Sequence, residues 1–275
     1  MTQKKRVLVT TSAKNGVPAH WVQFYDQVMR NPHPDYDFEF AVEDGNNALN
    51  LYRNIITQFA IERNFWKICQ IDSDMLAKPE HLYRLVAHNE PFVFGLYCKK
   101  RGGDIKWLAI HSPNCLQPRE DGLLECDFVG TGMFCAEIEA LKTVCQKFPE
   151  REFFFEDEQG KKGTMFELFP IGLAGPNTPE GRLARIREIM SMNRDANEKV
   201  DRIDSVLGLI HPQKARLLGE DYHACLLFRK AGFKLYVDTR CVVGHVGNIV
   251  YPVEPDRLSK AAGIPGHDLS LDDFV

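Results

Sequence analysis

The sequence predicts an α/β fold: a mixed, mostly parallel sheet flanked by helices. Three observations lead there. Short apolar runs alternate with helical patterns through the N-terminal half, as strand–helix–strand units do. Closely spaced strand patterns with Gly- and Pro-containing turns follow in the middle, which suggests an antiparallel or mixed addition to a parallel sheet. Helix-then-strand periodicity returns after residue 218.

In chain order, Arg6 to Thr11 reads as a buried strand, followed by a polar loop from Ser12 to Pro18. Trp21, Phe24, Tyr25 and Val28 recur at helical spacing. Tyr36 to Val42 alternates apolar and acidic residues, the pattern of a half-exposed strand. Leu51, Ile55, Ile56, Phe59 and Ala60 mark one face of a second helix. Trp66 to Ile71 is a strand ending at Asp72-Ser73-Asp74, and Pro79 suits the first turn of the next helix. Pro91 to Tyr97, Ile105 to Ile110 and Leu123 to Val129 read as strands. From about Pro149 to Leu218 the chain turns polar and charged, with a helix-prone stretch at Glu180 to Val206; this reads as an insertion or lid, or as a disordered loop. Tyr222, Leu226, Leu227 and Ala231 then form a helix closed by Gly232, followed by a strand at Phe233 to Val237.

The bulk numbers narrow the functional classes. With 275 residues the chain can bury a sizeable core. It is 44% hydrophobic and 26% charged, an ordinary globular balance, and its net charge of -4 gives no reason to expect non-specific binding to nucleic acid. Eight scattered cysteines without a CxxC pair suggest buried, reduced thiols rather than a zinc knuckle or a disulfide scaffold. Val7-Leu8-Val9 is too short for a signal-peptide core, and no window approaches the roughly 20 apolar residues of a membrane span. A cytoplasmic protein is the expectation.

The strongest chemical signal is Asp72-Ser73-Asp74 at the end of an apolar strand. Carboxylates two residues apart on extended backbone point to one side, and ligands of open α/β sheets gather beyond the carboxyl ends of the strands. A hard divalent cation relieves the repulsion between such carboxylates and leaves sites for phosphate oxygens. Gly219-Glu220-Asp221 opens the late helix. The residues alone favour a helix-dipole role there; a general base for an acceptor hydroxyl is the functional alternative. His245 stands between glycines in Val242-Val243-Gly244-His245-Val246-Gly247; a lone histidine is more often structural, but glycines on both sides permit close backbone approach. An imidazole beside carboxylates suits Mn2+, with Mg2+ next.

The order of these motifs, strand–DSD, VGTGMF, GEDYHACLLFRKAGFKLYVD and GHVG, resembles the GT-A fold glycosyltransferases, especially family 2-like bacterial and phage members. The resemblance covers roughly residues 6 to 247. It implies a GT-A-like (Rossmann-like) domain over 1–248, with the charged insertion at about 149–218 and a tail at 249–275. By that likeness Asp72 lies near the donor ribose and the metal, Asp74 is the direct metal ligand, and His245 is a further ligand. Asp221 matches the base of inverting members, with Glu220 beside it. Thr10 and Thr11 fall where base and ribose bind, Glu43-Asp44 accept hydrogen bonds from the base, Arg53-Asn54 lie near the donor, and Gly130-Thr131-Gly132 line the sugar. Without the resemblance, Arg53 reads as a solvated charge on a helix surface.

The activity so implied is metal-dependent transfer of a sugar from a nucleotide-diphosphate sugar, UDP-sugar favoured, to an acceptor hydroxyl with inversion. The acceptor stays open among glycan, lipid-linked sugar, protein and modified nucleobase, as does the oligomeric state. Lys99, Lys100 and Arg101 read as a solvated basic turn or a loop over the phosphates. A sugar nucleotidyltransferase is the nearer rival, but the loop after the first strand, Ser12 to Gly16, holds one lysine and one glycine where such enzymes carry a glycine-rich basic loop. A non-catalytic nucleotide-sugar or glycan-binding module is the third option. Gly130-Thr131-Gly132 lacks the third glycine of a dinucleotide fingerprint, because Cys135 stands there.

Overall fold

The computed structural model describes residues 3–13, 16–44, 49–98, 109–111, 117–156, 162–170, 172–174, 216–246 and 250–251, together with 187, 190 and 191. The chain begins β1 (Lys5–Ala13), α1 (Ala19–Arg30), β2 (Tyr36–Asp44), α2 (Leu49–Glu62) and β3 (Lys67–Ile71). A short β4 (Met75–Leu76), α3 (Pro79–Ala87), β5 (Phe92–Leu96), β6 (Ala109–His111), β7 (Leu123–Val129), β8 (Met133–Glu137) and α4 (Ile138–Lys147) follow. Two small antiparallel pairs come next, β9 (Glu152–Glu156) with β10 (Lys162–Phe166) and β11 (Gly172–Ala174) with β12 (Arg216–Leu218). The described chain closes with α5 (Glu220–Lys230), β13 (Leu235–Val242), β14 (Gly244–Val246) and β15 (Val250–Tyr251).

Eight strands form the main sheet, in the order β2-β1-β3-β8-β5-β13-β7-β6. β1 pairs in parallel with β2 and β3, and β5 with β13. Only β8 and β7 run against the common direction, so the sheet is mixed and mostly parallel, as predicted. β8 and α4 are not among the elements expected from the sequence. Met133–Glu137 lies between β3 and β5 in the centre of the sheet, with Cys69 opposite Cys135 and Val93 opposite Cys135 on the other side.

Alternation along β1 divides the core. Leu8 faces a cluster with Ile56 of α2, Leu141 of α4 and Phe228 of α5. Val7 and Val9 face Trp21 and Phe24 of α1 and Leu82 and Leu85 of α3. Helices therefore cover both faces, which is why β1, β3 and β5 read as continuous apolar runs. β2 pairs on one side only and keeps the half-exposed character its alternation predicts.

The face that the apolar spacing marks on α2 is only partly buried, with Ile56 and Ala60 inside. Leu51, Ile55 and Phe59 remain 37%, 40% and 39% exposed, whereas Tyr52, Arg53, Asn54, Ile56, Thr57 and Ala60 are buried. The helix is turned toward its polar side because that side supplies partners to buried polar groups at the ends of β1 and β3. Gly232 closes α5 at φ +92°, as its position predicts. The seven described cysteines are all free and buried; Cys115 lies outside the described residues. Within the charged insertion, Met165, Leu168 and Phe169 are buried, and Phe169 joins the core packed on α5. The helix-prone stretch at 180–206, apart from 187, 190 and 191, and the tail beyond 251 lie outside the described residues. Among the described residues no helix is long and apolar enough to cross a membrane.

Candidate functional site

The carboxyl ends of β1, β3, β5 and β13 share one edge of the sheet, and the DSD turn leaves it directly after β3. The Asp72 amide donates to the Gly132 carbonyl at 2.7 Å, and the Met75 amide donates back to the Asp72 carbonyl at 3.0 Å, which closes the turn. Arg53 Nη2 donates to Asp72 Oδ1 at 2.8 Å. Its Nη1 reaches Gln70 Oε1 at 3.2 Å and the Thr131 carbonyl at 3.1 Å, and Gln70 Nε2 donates to Thr57 Oγ1 at 3.0 Å. Arg53 is only 1% exposed, so the solvated-surface reading of this residue is overturned. A buried guanidinium requires a carboxylate partner and several acceptors, and it has them here.

Asp74, with 39% of its side chain exposed, turns the other way. Its carbonyl accepts the Val246 amide at 2.8 Å, and its Oδ2 faces His245 Nε2 at 3.5 Å. This meeting depends on a short ladder of β4, β14 and β15, which sets His245 opposite Met75. The Nδ1 of His245 lies 2.7 Å from the Cys98 carbonyl. A carbonyl can only accept, so Nδ1 carries a proton, and Nε2 faces the Asp74 carboxylate. A cation between the two, either a proton on Nε2 or a metal ion, would satisfy both. Of the three expected metal ligands, the structure thus brings Asp74 and His245 face to face and commits Asp72 to Arg53. Among the described residues no three His, Cys, Asp or Glu side chains gather into a cage. A metal here would draw its further ligands from substrate and water. The two donors fit such an ion: one hard oxygen, and one imidazole whose far nitrogen is anchored by a carbonyl, the usual support for a metal-binding histidine.

Glu220 and Asp221 open α5 over the same edge. Asp221 Oδ1 accepts the Tyr222 amide at 2.8 Å in the first turn of α5. Burial and the neighbouring Glu220 charge push the Asp221 carboxyl upward, against the pull of the Tyr222 amide and Arg53. Burial also raises Asp72, to about 6; Arg53 and His245 oppose the rise, while Asp74 and Glu220 add to it. These mutual influences place the acidic pair, Arg53, His245 and the start of α5 around one space.

Thr10 and Thr11 are buried. The Thr10 hydroxyl pairs with Tyr52 Oη, which donates to the Thr11 carbonyl at 2.9 Å. Asp44 ends β2 opposite Ala13, and its side chain lies outside the described residues, as do Lys99, Lys100 and Arg101. Gly132 sits at the centre. Its amide donates to Tyr97 Oη at 2.8 Å, and an added Cβ would lie 2.8 Å from Met75 Cε and from Tyr97 Cζ and Oη. Sequence reasoning missed Tyr97 and Gln70. Each left a trace, Tyr97 as the polar aromatic right after an apolar strand and Gln70 as a lone amide within one.

No family model and no curated protein sequence matches this chain. Among solved structures, the protein A197 from STIV is similar at a TM-score of 0.44 and 13% identity, over 88% of this chain and 86% of that one. A glycosyltransferase involved in glycosylation of the major capsid of PBCV-1 is similar at a TM-score of 0.28 and 13% identity, over 51% of this chain and 65% of that one. At such overlap and identity, the ground for a functional reading is the geometry of the site itself.

Proposed function

We propose that the protein is a glycosyltransferase that uses Mn2+ or Mg2+ and moves a sugar from a nucleotide-diphosphate sugar to a hydroxyl acceptor. The observation that carries this reading is His245 Nε2 facing the Asp74 carboxylate at 3.5 Å, with an acidic helix start over the same edge of the sheet. Asp74 and His245 would hold the cation, which when bound offsets negative charge building on the departing diphosphate. Arg53 keeps Asp72 pointed in one direction, toward the ribose side of the donor. Asp221 takes the proton of the acceptor hydroxyl through Oδ2 while the acceptor oxygen bonds to the anomeric carbon and the bond to the diphosphate breaks on the opposite face. The result is inversion. An upward-shifted carboxyl suits this work, because a base nearer neutrality transfers protons more effectively.

The test follows melting temperature with a panel of nucleotide-sugars, with and without Mn2+, and then donor hydrolysis, in which water replaces the unknown acceptor. UDP-sugars with Mn2+ are expected to stabilise the fold. Asp74→Ala should abolish the Mn2+ effect on stability and hydrolysis; an unchanged Mn2+ response rejects the ligand assignment. Asp221→Asn should keep donor-induced stabilisation and lower hydrolysis by about 10²-fold or more, the scale of a lost general base. Stabilisation by nucleoside triphosphates with sugar phosphates, and formation of nucleotide-sugar from them, would instead assign a nucleotidyltransferase.

A further inference from the structure

Four stretches of chain around the site close into a ring. The Asp72 amide donates to the Gly132 carbonyl at 2.7 Å, and the Gly132 amide donates to Tyr97 Oη at 2.8 Å. The next residue, Cys98, offers its carbonyl to His245 Nδ1 at 2.7 Å, and the Tyr97 ring meets the His245 ring edge-on at 5.4 Å between centroids. The Val246 amide then donates to the Asp74 carbonyl at 2.8 Å, two residues from the start. The Tyr97 side chain touches both arcs: its hydroxyl holds Gly132, and its ring packs against His245. It is buried, and burial together with the Asp72 and Asp221 carboxylates keeps the hydroxyl protonated. A Cβ at position 132 would overlap the same hydroxyl, so the contact tolerates little slack.

We infer that Tyr97 is a positioning residue that sets the spacing between the DSD turn and His245. Its use in catalysis rests on the glycosyltransferase reading above, but the spacing itself does not. Removing the hydroxyl leaves the Gly132 amide buried without its acceptor and lets the turn carrying Asp72 and Asp74 drift from His245. The ring remains in place in Tyr97→Phe, so the core is not emptied.

Two readouts separate the inference from the functional reading. In Tyr97→Phe, hydrogen exchange at the Gly132, Asp72 and Val246 amides should accelerate together by about tenfold, while amides between β1 and β2 hold their rates. Donor hydrolysis should lose about tenfold in kcat with little change in donor KM, as expected when ground-state binding survives and reacting groups are misplaced. Acceleration at Gly132 alone, with Val246 unchanged, overturns the spacing role, and loosening at all three amides without loss of kcat overturns its use in catalysis. If the wild-type protein hydrolyses no donor, the glycosyltransferase reading falls while the exchange data still decide the spacing role. His245→Phe opens the ring on its other side; it must accelerate exchange at Gly132 and Asp72, and protection unchanged there overturns the inference even if Tyr97→Phe does not fold.

Discussion

Gly132 is constrained by space rather than by backbone angle. Met75 Cε and two atoms of Tyr97 stand 2.8 Å from where a Cβ would be, and the aromatic ring is held by its own hydrogen bond. Gly132→Ala therefore has to displace Tyr97, a form of overpacking that costs about 1–3 kcal/mol. The melting temperature should fall by several degrees, on the scale of about 2–4 °C per kcal/mol for a chain of this size. Donor hydrolysis should fall with it, and an alanine variant indistinguishable from wild type in both measurements would show that the contact relaxes freely. At this scale Asp72, Asp74 and His245 stood out in the sequence because charge and glycine interrupt apolar runs. Tyr97 did not, since an aromatic residue at a strand end has the same local pattern whether it packs or positions.

Helix α2 shows how an element can be recognised and yet turned the wrong way. Its apolar spacing marks a helix, but it buries Arg53, Asn54 and Thr57 beside Ile56 and Ala60 and leaves Leu51, Ile55 and Phe59 outside. Asn54, 3% exposed, accepts the amides of both Leu168 and Phe169, at 2.8 and 2.9 Å, and so ties a segment more than a hundred residues later to the core. Asn54→Ala takes the Asn54 acceptor from the buried Phe169 amide and leaves the Leu168 amide only the Phe166 carbonyl at 3.1 Å, at a cost of about 1–3 kcal/mol. The expected result is a lower melting temperature and faster hydrogen exchange confined first to residues 165–169. Uniform acceleration across the sheet would instead show that α2 itself had loosened. None of this is visible from local periodicity, because the partners of Asn54 and Arg53 come from distant strands and turns.

For the whole molecule, Asp238 is the buried charge that fastens one helical layer to the sheet. It is fully buried on β13, accepts from His88 Nε2 at 2.8 Å and from the Arg240 amide at 2.9 Å, and pairs with Arg84 of α3. Burial pushes its carboxyl upward, but His88, the Arg240 amide and Arg84 outweigh this and hold it below the ordinary 3.8. A depressed carboxyl adds stability that is fully present above the unfolded value and is lost as pH falls through the folded one. Asp238→Asn should therefore cost about 3 kcal/mol near neutrality, the low end for breaking a buried pair. Its stability should also fall less steeply than that of the wild type as pH drops below 3.8. Parallel acid limbs in the two proteins would show that other carboxylates set the acid stability.

The amino-acid sequence by itself determined the alternation of strand and helix, the shared direction of β1, β2 and β3, the acidic turn after β3 and the capped helix at α5, because each is written in neighbouring residues. Tertiary structure alone decided that β8 enters the middle of the sheet, that α2 turns its polar side inward, and that His245 meets Asp74 across the ladder of β4 and β14. Those outcomes depend on which distant groups satisfy one another once water is excluded, and no local stretch carries that information.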